Sequence, residues 1–595
     1  MIYTPKMATK TKTRTKLKGM LTDGERPEEF KKYDALKAYA FEGLSAEKAG
    51  KLIGFNANSF RTLVWKVSRE GLDVIKPKKK GPKERHKAES YRKRIVDLRK
   101  RNLDSEEIAE VLNETENANL GPRTVTRVLR EEGFKKIKRR SAKEKKKAKV
   151  VMEEERKRSR NSTGGYKGEM RSDNPGIFLF APVINELGLP EMVEEAGLYG
   201  TKDISSWSYF LSFMALKLVG AKRLSKADDY THDGGMAFFT GLTKIPSGTA
   251  LHTYSYNLMK EDTKKLMKAY GKKIKEHVDG KNFNLDFHSI PHFGESEEFE
   301  NNYVPTRGKA MKSALAFFAQ DQETTIFCYS DADVKNEDKD DKILEFVSYW
   351  KEVKGEKPEH LIFDSKVTTY PNLLKLAEEE HVKFVTLRRR GKKLMEGVED
   401  IPKEDWRRVH LKNVKRKYRN LRVADRKTDL RITNKEGKVT GKLKVRELVI
   451  TNNGRDEPTF MITTDEDLST KDVIELYAPR WRIENGISEE VDFFNLNALS
   501  STPGVKVDFD VIMTQIASGL YKLMAKDLWS FEKSKPETIY DKFVKGSGGI
   551  HVLEDKIIVE LPKKKHTPLL RDAEFMKKEI IIPWLGNRKI EFIFV

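Results

Sequence analysis

The spacing of apolar residues between positions 33 and 75 predicts three short helices. In the third helix, four apolar residues recur at the spacing of one helix face: Phe60, Leu63, Val64 and Val67. Ser45 suits the N-cap of the middle helix, and Gly54 suits its C-terminal stop. Short helices around a tight turn form a helix-turn-helix unit, and the residues predicted to reach DNA lie off the apolar face: Ser59, Arg61 and Lys66.

A second segment, residues 88–135, repeats this plan. Asp104 and Glu107 have the spacing of a capping box, and Pro122 suits the first turn of the next helix. One face of that helix is apolar through Val125, Val128 and Leu129, and the residues predicted to reach DNA are Arg123, Thr124 and Arg127. Two such units in tandem favour DNA binding, although three-helix bundles also make protein contacts.

Charged segments precede, join and follow these units. A basic arm covers residues 1–32, a basic linker covers 76–87, and a charged, largely helical connector covers 136–173. Residues 174–280 then have the pattern of a mainly helical region, whose most apolar helix is predicted at 207–220.

Beyond residue 280, shorter apolar runs predict alternating strands and helices. Their order is three strands (282–290, 310–321, 323–332), a helix (339–355), a strand (360–367), a helix (370–381) and a strand (382–390). This is the order of the ribonuclease H fold. The predicted fold class is therefore multidomain, with an α-helical N-terminal region of tandem helix-turn-helix units and an α/β ribonuclease-H-like catalytic domain.

The catalytic core would comprise two parts, residues 281–390 and 469–530. Between them, residues 391–468 form a β-rich insertion with strand-like segments at 442–452 and 457–464. The C-terminal region, residues 531–595, carries no prediction.

Acidic residues occur where the ribonuclease H fold places its carboxylates. Asp286 lies on the first, central strand, and Asp364 ends the neighbouring parallel strand. The fold requires a third acid from a later helix. Pro479 predicts a helix break with a new helix starting beside it, on which Arg480 and Glu484 share one face. The buried side of this helix would comprise Ile483, Ile487 and Phe494.

The composition indicates a nucleic-acid partner and excludes some kinds of cysteine site. The chain has 115 Lys and Arg against 92 Asp and Glu, and its net charge of +23 suits double-stranded DNA. The one cysteine, Cys328, excludes an intrachain disulfide and a multi-cysteine zinc site. Neither an apolar run of about 18 residues nor a signal-peptide pattern occurs. The sequence thus predicts a soluble intracellular protein, in the cytoplasm or on the nucleoid, without membrane contact.

The stretch from Tyr477 to Asn485, YAPRWRIEN, resembles the signature of bacterial insertion-sequence transposases of the DDE class. That signature is Tyr, two residues, Arg, three residues, Glu, six residues and Lys. The family also has a β-rich insertion before its catalytic Glu, and the similarity extends over about residues 170–530. Two positions depart from the pattern: Val491 replaces the signature Lys, and His288 stands where relatives often have Thr or Ser.

The resemblance implies a metal-dependent site for DNA cleavage. Two Mg²⁺ (or Mn²⁺) ions would be held by Asp286, Asp364 and Glu484, with Asp286 bridging both, because hard cations prefer carboxylate oxygens. His288 would lie just outside the metal ligands. DNA contacts are predicted for Tyr477, Arg480, Trp481 and Arg482. The structural alternative is aromatic core packing for Tyr477 and Trp481, and a salt bridge for Arg480.

Other residues compete for these roles. Asp331 and Asp333 lie at a predicted strand end and are alternative carboxylates, and His292 is a second histidine near Asp286. Lys309 and the run 388–390, three arginines, could contact phosphate or form a solvated basic face.

These inferences predict a DDE transposase that binds the terminal inverted repeats of a mobile element and catalyses cleavage and strand transfer. A homodimer is expected, because two DNA ends must be held together. The alternatives are a captured, non-catalytic transposase that acts as a DNA-binding regulator, and a structure-selective nuclease of the same fold.

Overall fold

The structure is a computed structural model that describes residues 30–75, 87–89, 91–116, 118–137, 140–161, 166–411, 419–433, 438–498 and 503–595, with residues 15, 17–19 and 21. The chain divides into two compact units, residues 1–90 and residues 91–595. Almost all of the predicted basic linker and most of the predicted basic arm lie outside the described residues.

The first unit contains the three predicted helices, α1 (Phe30–Ala40), α2 (Ala46–Lys51) and α3 (Ala57–Glu70). The Ser45 hydroxyl accepts a hydrogen bond from the Lys48 backbone N–H and so caps α2, as predicted. Gly54 follows α2 with a φ of 72°, a left-handed conformation that favours glycine. The predicted apolar face of α3 is buried.

Four helices begin the second unit: α4 (Arg92–Lys100), α5 (Ser105–Glu116), α6 (Pro122–Glu131) and α7 (Ala142–Asn161). The capping box of α5 is confirmed, since Asp104 and Glu107 exchange side-chain to backbone hydrogen bonds of 2.9 and 3.0 Å. Pro122 occupies the first turn of α6, and its predicted apolar face is buried. Glu155 of α7 pairs with two arginines of the α4 region, Arg94 and Arg101, and thereby ties the fourth helix to the other three.

A helical layer precedes the large sheet. Its elements are β1 (Gly168–Ser172), α8 (Ala181–Glu186), α9 (Leu189–Ala196), α10 (Ser206–Leu218), α11 (Gly234–Phe239), α12 (Gly248–Tyr256) and α13 (Lys260–Ile274). The predicted most apolar helix is α10, and it is buried from Ser208 to its end. In the described part of the chain, no single helix has the length and apolarity to cross a membrane; one bent pair, Pro175–Glu186 with Leu189–Ala196, meets those two criteria jointly.

Ten strands form one mixed sheet: β2 (Asn282–Pro291), β3 (Glu300–Val304), β4 (Lys309–Asp321), β5 (Phe327–Val334), β6 (His360–Phe363), β7 (Lys383–Leu387), β8 (Trp406–His410), β9 (Asn420–Thr433), β10 (Val439–Thr451) and β11 (Thr459–Thr463). The order is β3-β4-β2-β6-β7-β11-β10-β9-β8, and β5 also pairs with β4. Strands β2, β6 and β7 are parallel, and the remaining pairs are antiparallel.

Helices connect the parallel strands, as parallel pairing requires. Helix α14 (Lys342–Lys354) lies between β5 and β6, α15 (Tyr370–Glu378) lies between β6 and β7, and α16 (Lys392–Glu396) follows β7. The sequence placed the start of β5 at residue 323, which is wrong, because residues 322–326 form the connection after β4. Strands β3, β8 and β9 were not predicted. The segment predicted as an insertion continues the same sheet, since β11 pairs with β7.

The remaining elements are α17 (Thr470–Tyr477), α18 (Trp481–Asp492), α19 (Gly504–Lys526), α20 (Pro536–Ile539), β12 (Gly548–Val552), β13 (Lys556–Leu561), α21 (Thr567–Asp572), α22 (Glu574–Lys577), β14 (Ile580–Ile582) and β15 (Arg588–Phe594). The break at Pro479 is present, but Pro479 lies in a 3-10 turn, Ala478–Arg480, and the new helix starts at Trp481. A second sheet has the order β1-β12-β13-β15-β14, so the last part of the predicted connector pairs with the C-terminal region.

Candidate active site

Asp286 lies on β2, and Asp364 directly follows the last residue of β6. The parallel register of the two strands pairs Leu285 with Phe363, the residues that precede the two aspartates. Neighbouring strands lie about 4.8 Å apart, so the two aspartates stand side by side at the carboxyl end of β6. Each carboxylate accepts a hydrogen bond from the next backbone N–H, at 2.8 Å for Asp286 and 2.7 Å for Asp364.

Helix α18 carries the third predicted acid, Glu484. As predicted, Ile483 and Ile487 are buried against the sheet. Gly486 lies on the same face, where a Cβ would stand 2.6 Å from Nε2 of Gln320 on β4. Glycine therefore lets the helix approach the sheet closely, while the Glu484 side chain, 53% exposed, stays on the solvent side.

Arg480 connects this helix to the strands. Its guanidinium donates a hydrogen bond of 2.6 Å to Glu484 Oε1, and its other terminal nitrogen lies 3.6 Å from Asp286 Oδ2. The guanidinium also lies 5.9 Å from the centre of the Tyr477 ring. One cation thus bridges two of the three predicted carboxylates.

The electrostatics of Asp286 link all three acids. Burial raises the pKa of Asp286 to about 6; Arg480 opposes this shift, and the carboxylates of Glu484 and Asp364 add to it. The raised pKa of Asp286 therefore depends in part on the charges of the other two carboxylates. Within the described ranges, however, no group of three or more His, Cys, Asp or Glu side chains is arranged to hold a metal ion.

The competing carboxylates have other partners. Asp331 lies 2.8 Å from Lys260 Nζ and 2.9 Å from Lys342 Nζ, and it is buried. Asp333 lies 3.2 Å from Lys335 Nζ. These pairs neutralise the two aspartates locally.

The two histidines near Asp286 are held by neighbours. Nε2 of His288 lies 2.8 Å from Asn497 Oδ1, and burial lowers the pKa of His288, which favours its neutral form. The His292 ring packs against Phe299, with ring centres 5.0 Å apart. Asn497 belongs to a 3-10 turn, Leu496–Ala498, after α18, and no sequence pattern pointed to it.

The predicted DNA-contacting residues are distributed over both units. Trp481 is 55% exposed, and Arg482 donates a hydrogen bond of 3.1 Å to the Gln322 carbonyl. Arg388 pairs with Glu447 at 2.6 Å, and Arg390 pairs with Glu457. The N-terminal candidates that are exposed are Ser59, Arg61, Lys66, Arg123 and Arg127, while Thr124 is half-buried. The contacts of all these residues with DNA remain predictions.

Comparison with known proteins identifies the region around this site. Residues 341–520 match the family described as "Transposase DDE domain", and this range contains Asp364 and Glu484. No curated protein matches the chain. A solved structure similar to it is the piggyBac transposase synaptic complex with hairpin DNA, with 11% identity and a TM-score of 0.33 over 63% of this chain and 81% of that one. The comparisons thus identify residues 341–520 of this chain as similar to a transposase DDE domain.

Proposed function

We propose that the protein is a DNA transposase that cleaves DNA at Asp286, Asp364 and Glu484 and joins the freed ends to target DNA. The observation that supports this proposal is the register of β2 with β6, because Asp286 and Asp364 directly follow the paired residues Leu285 and Phe363. The strand order β5-β4-β2-β6-β7, in which the first two pairs are antiparallel and the last two are parallel, supports a ribonuclease-H-like core.

The three carboxylates have the donor chemistry that a divalent cation needs. Arg480 pairs with two of them, Asp286 and Glu484, and the negative charges of Glu484 and Asp364 contribute to the raised pKa of Asp286. Asp286, Asp364 and Glu484 would hold Mg²⁺ or Mn²⁺, and the half-exposed Glu484 would exchange its pairing with Arg480 for a cation. When bound, two such ions would supply Lewis acidity and lower the pKa of water or of a 3′-hydroxyl.

Other residues of the site would position DNA. Once Glu484 turns to a cation, the Arg480 guanidinium is free to donate two hydrogen bonds to a phosphate, which is the geometry that arginine favours. The exposed Trp481, which follows Arg480 and begins α18, would pack against a DNA end. The backbone hydrogen bonds of Asp286 and Asp364 hold both carboxylates in place before substrate arrives.

The N-terminal helices would provide sequence recognition. Exposed basic and hydroxyl side chains on α3 and α6 can reach phosphates and base edges. The net charge of +23 supports double-stranded DNA as the partner, at the element ends and at the target. A homodimer would hold two ends at once, and such a protein would act inside the cell, where its DNA is.

Substitution of Glu484 by Gln tests the proposal. We expect it to abolish Mg²⁺-dependent nicking of a duplex that carries the DNA bordering the gene, while affinity for that duplex is largely retained. Glu489→Gln is the matched control, because Glu489 lies on the same helix but pairs with Lys522 at 3.3 Å. If Glu484→Gln cuts as well as the parent, the role of Glu484 is wrong.

The same assay separates this function from the other two. A regulator without catalysis would bind the duplex and leave it intact in Mg²⁺. A structure-selective nuclease would cut branched DNA and would never join a cut 3′ end to a second duplex. The transposase requires both cutting and joining.

A further inference from the structure

A pocket in the second unit lies between α10, α12 and the start of α19. Its apolar wall is formed by Phe213, Leu216 and Phe509. The cavity volume is about 50 Å³, which exceeds the space of a single water and suits a group the size of a phosphate.

The polar lining of this pocket, named here the Lys506 pocket, is strongly cationic. Four cations face one carboxylate, which is Asp510: Lys217, Lys222, Arg223 and Lys506. Asp510 is already paired with Lys217 at 2.9 Å. Three positive charges are therefore left without an acidic partner among the residues that line the pocket.

Lys506 and Lys217 are the buried residues among these cations. Lys506 is 6% exposed, and no hydrogen bond or ion pair joins its ammonium to another residue that the structure describes. Burial lowers the pKa of Lys506 to about 8, and the charge of Asp510 only partly offsets this effect. A cation that has lost much of its hydration without gaining a partner is costly, so an anion at this position would relieve that cost.

The backbone adds to the positive potential. Lys506 is the third residue of α19, a helix of 23 residues that begins at Gly504. The N-terminal end of a helix carries a partial positive charge, which favours anions beside it. The helix end and the cationic side chains therefore both make the potential in the pocket more positive.

The pocket is also close to the candidate active site along the chain and in space. Ala498 lines the pocket, and its neighbour Asn497 holds His288, two residues beyond Asp286. The turn Leu496–Ala498 thus contributes residues both to the Lys506 pocket and to the surroundings of the candidate active site. DNA seated at the carboxylates would pass this turn.

We propose that the Lys506 pocket binds a backbone phosphate of the DNA substrate, with Lys506 as its charged partner and the apolar wall against the adjoining sugar. This inference rests on the function proposed above. It assigns Lys506 to substrate positioning, outside the chemical step.

The test measures how DNA affinity depends on salt. All proteins carry Glu484→Gln, so that the duplex bordering the gene stays intact, and binding is followed by fluorescence anisotropy between about 50 and 200 mM salt. We expect Lys506→Gln to lower the slope of log affinity against log salt by about one, the value for one lost phosphate contact. Lys506→Arg keeps the charge and should keep the slope.

Lys577→Gln is the matched control, because it removes the same charge from an exposed lysine that pairs with Glu574 at 3.0 Å. Its slope should equal that of the parent. An unchanged slope for Lys506→Gln would overturn the proposal that the Lys506 pocket binds a phosphate and would leave the proposed function untouched. If the parent binds the duplex without salt dependence, the proposed function fails as well, so the two failures are distinguishable.

A second measurement uses the native side chain and does not depend on a variant that folds. Trace acetylation of lysines is quantified by mass spectrometry with the duplex, with inorganic phosphate and with neither. We expect the duplex to protect Lys506 and not Lys577, and inorganic phosphate to protect it only at far higher concentration. Equal protection by both would make this a site for free phosphate, and no protection by the duplex would overturn the proposal.

Discussion

Two acidic clusters in the second unit show how charge balance separates a candidate site from a structural one. In one, Arg480 pairs with Asp286 and Glu484, Asp364 acts electrostatically on Asp286, and the pKa of Asp286 is raised to about 6. In the other, two lysines pair with three carboxylates: Lys260 contacts Asp331 and Asp508, and Lys342 contacts Asp331 and Glu345.

The difference lies in what each cluster lacks. Burial alone would raise the pKa of Asp331, but Lys260 and Lys342 outweigh it and hold that pKa below its usual value. Each carboxylate of this second cluster has a lysine Nζ within 3.1 Å, and Ala332 donates its backbone N–H to Asp508, although burial still raises the pKa of Asp508. The carboxylate cluster has negative charge to spare, which is the property that a cation-binding site needs.

The largest expected effect comes from removing a carboxylate of the candidate site. Asp286→Asn should lower Mg²⁺-dependent cutting by a factor on the order of 10³, because several kcal/mol of cation-mediated stabilisation are lost. Its melting temperature should not fall, since the change removes a buried charge whose loss of hydration outweighs its attraction to Arg480. Cutting at the parental rate would show that the unbalanced cluster is not catalytic.

Asp331→Asn should lower stability and leave the cutting rate unchanged, the opposite of Asp286→Asn. Removal of one partner from a buried ion pair should lower the free energy of unfolding by about 3 kcal/mol, with the cutting rate per folded molecule unchanged. The folded pKa of Asp331 is lowered, so its contribution is present at neutral pH and lost below about pH 4. Chemical denaturation at several pH values measures this, and an equal stability of both proteins at neutral pH would contradict it.

Gly486→Ala sharpens the comparison without changing any charge. Alanine normally favours a helix, but here the new Cβ would stand 2.6 Å from Gln320 Nε2 and 3.0 Å from the Phe327 ring. We expect a loss of about 2 kcal/mol in stability and slower cutting, because α18 must move and carry Glu484 with it. Ser488→Ala, on the exposed side of the same helix, is the control, and a stabilised, fully active Gly486→Ala would refute this packing.

The smallest effect is stabilisation by the cation itself. At ten times its Kd, Mg²⁺ should raise the free energy of unfolding of the parent by about 1.4 kcal/mol. Mg²⁺ should raise the free energy of unfolding of Asp331→Asn by the same amount as that of the parent, and that of Asp286→Asn by less. Thermal melts with and without Mg²⁺ report the difference, and an equal gain in Asp286→Asn would place the cation elsewhere.

Periodicity and local chemistry predicted much of this architecture. The face of α3, the capping box of Asp104 and Glu107, and the alternation of strands and helices from β2 to β7 are all local signals, and they are observed. Glu484 was found by its spacing from Arg480, because four residues make one helical turn.

Long-range features had no such signal. Pairing of β11 with β7 and of β1 with β12 depends on partners distant in sequence, so neither the ten-stranded sheet nor the C-terminal sheet could be predicted. The contact between His288 and Asn497 spans 209 positions, and the burial of Lys506 depends on three helices. Gly486 was the missed local clue, since a glycine on the apolar face of a helix often marks a close approach.

The central claim is that Asp286, Asp364 and Glu484 together bind the ions that cut DNA. Anomalous scattering from a crystal grown with Mn²⁺ tests it most directly. The account predicts anomalous peaks within bonding distance of oxygens from Asp286 and Asp364, with Glu484 turned away from Arg480 toward one of them. Peaks on other residues, with these three carboxylates unligated in a protein that still cuts DNA, would contradict it.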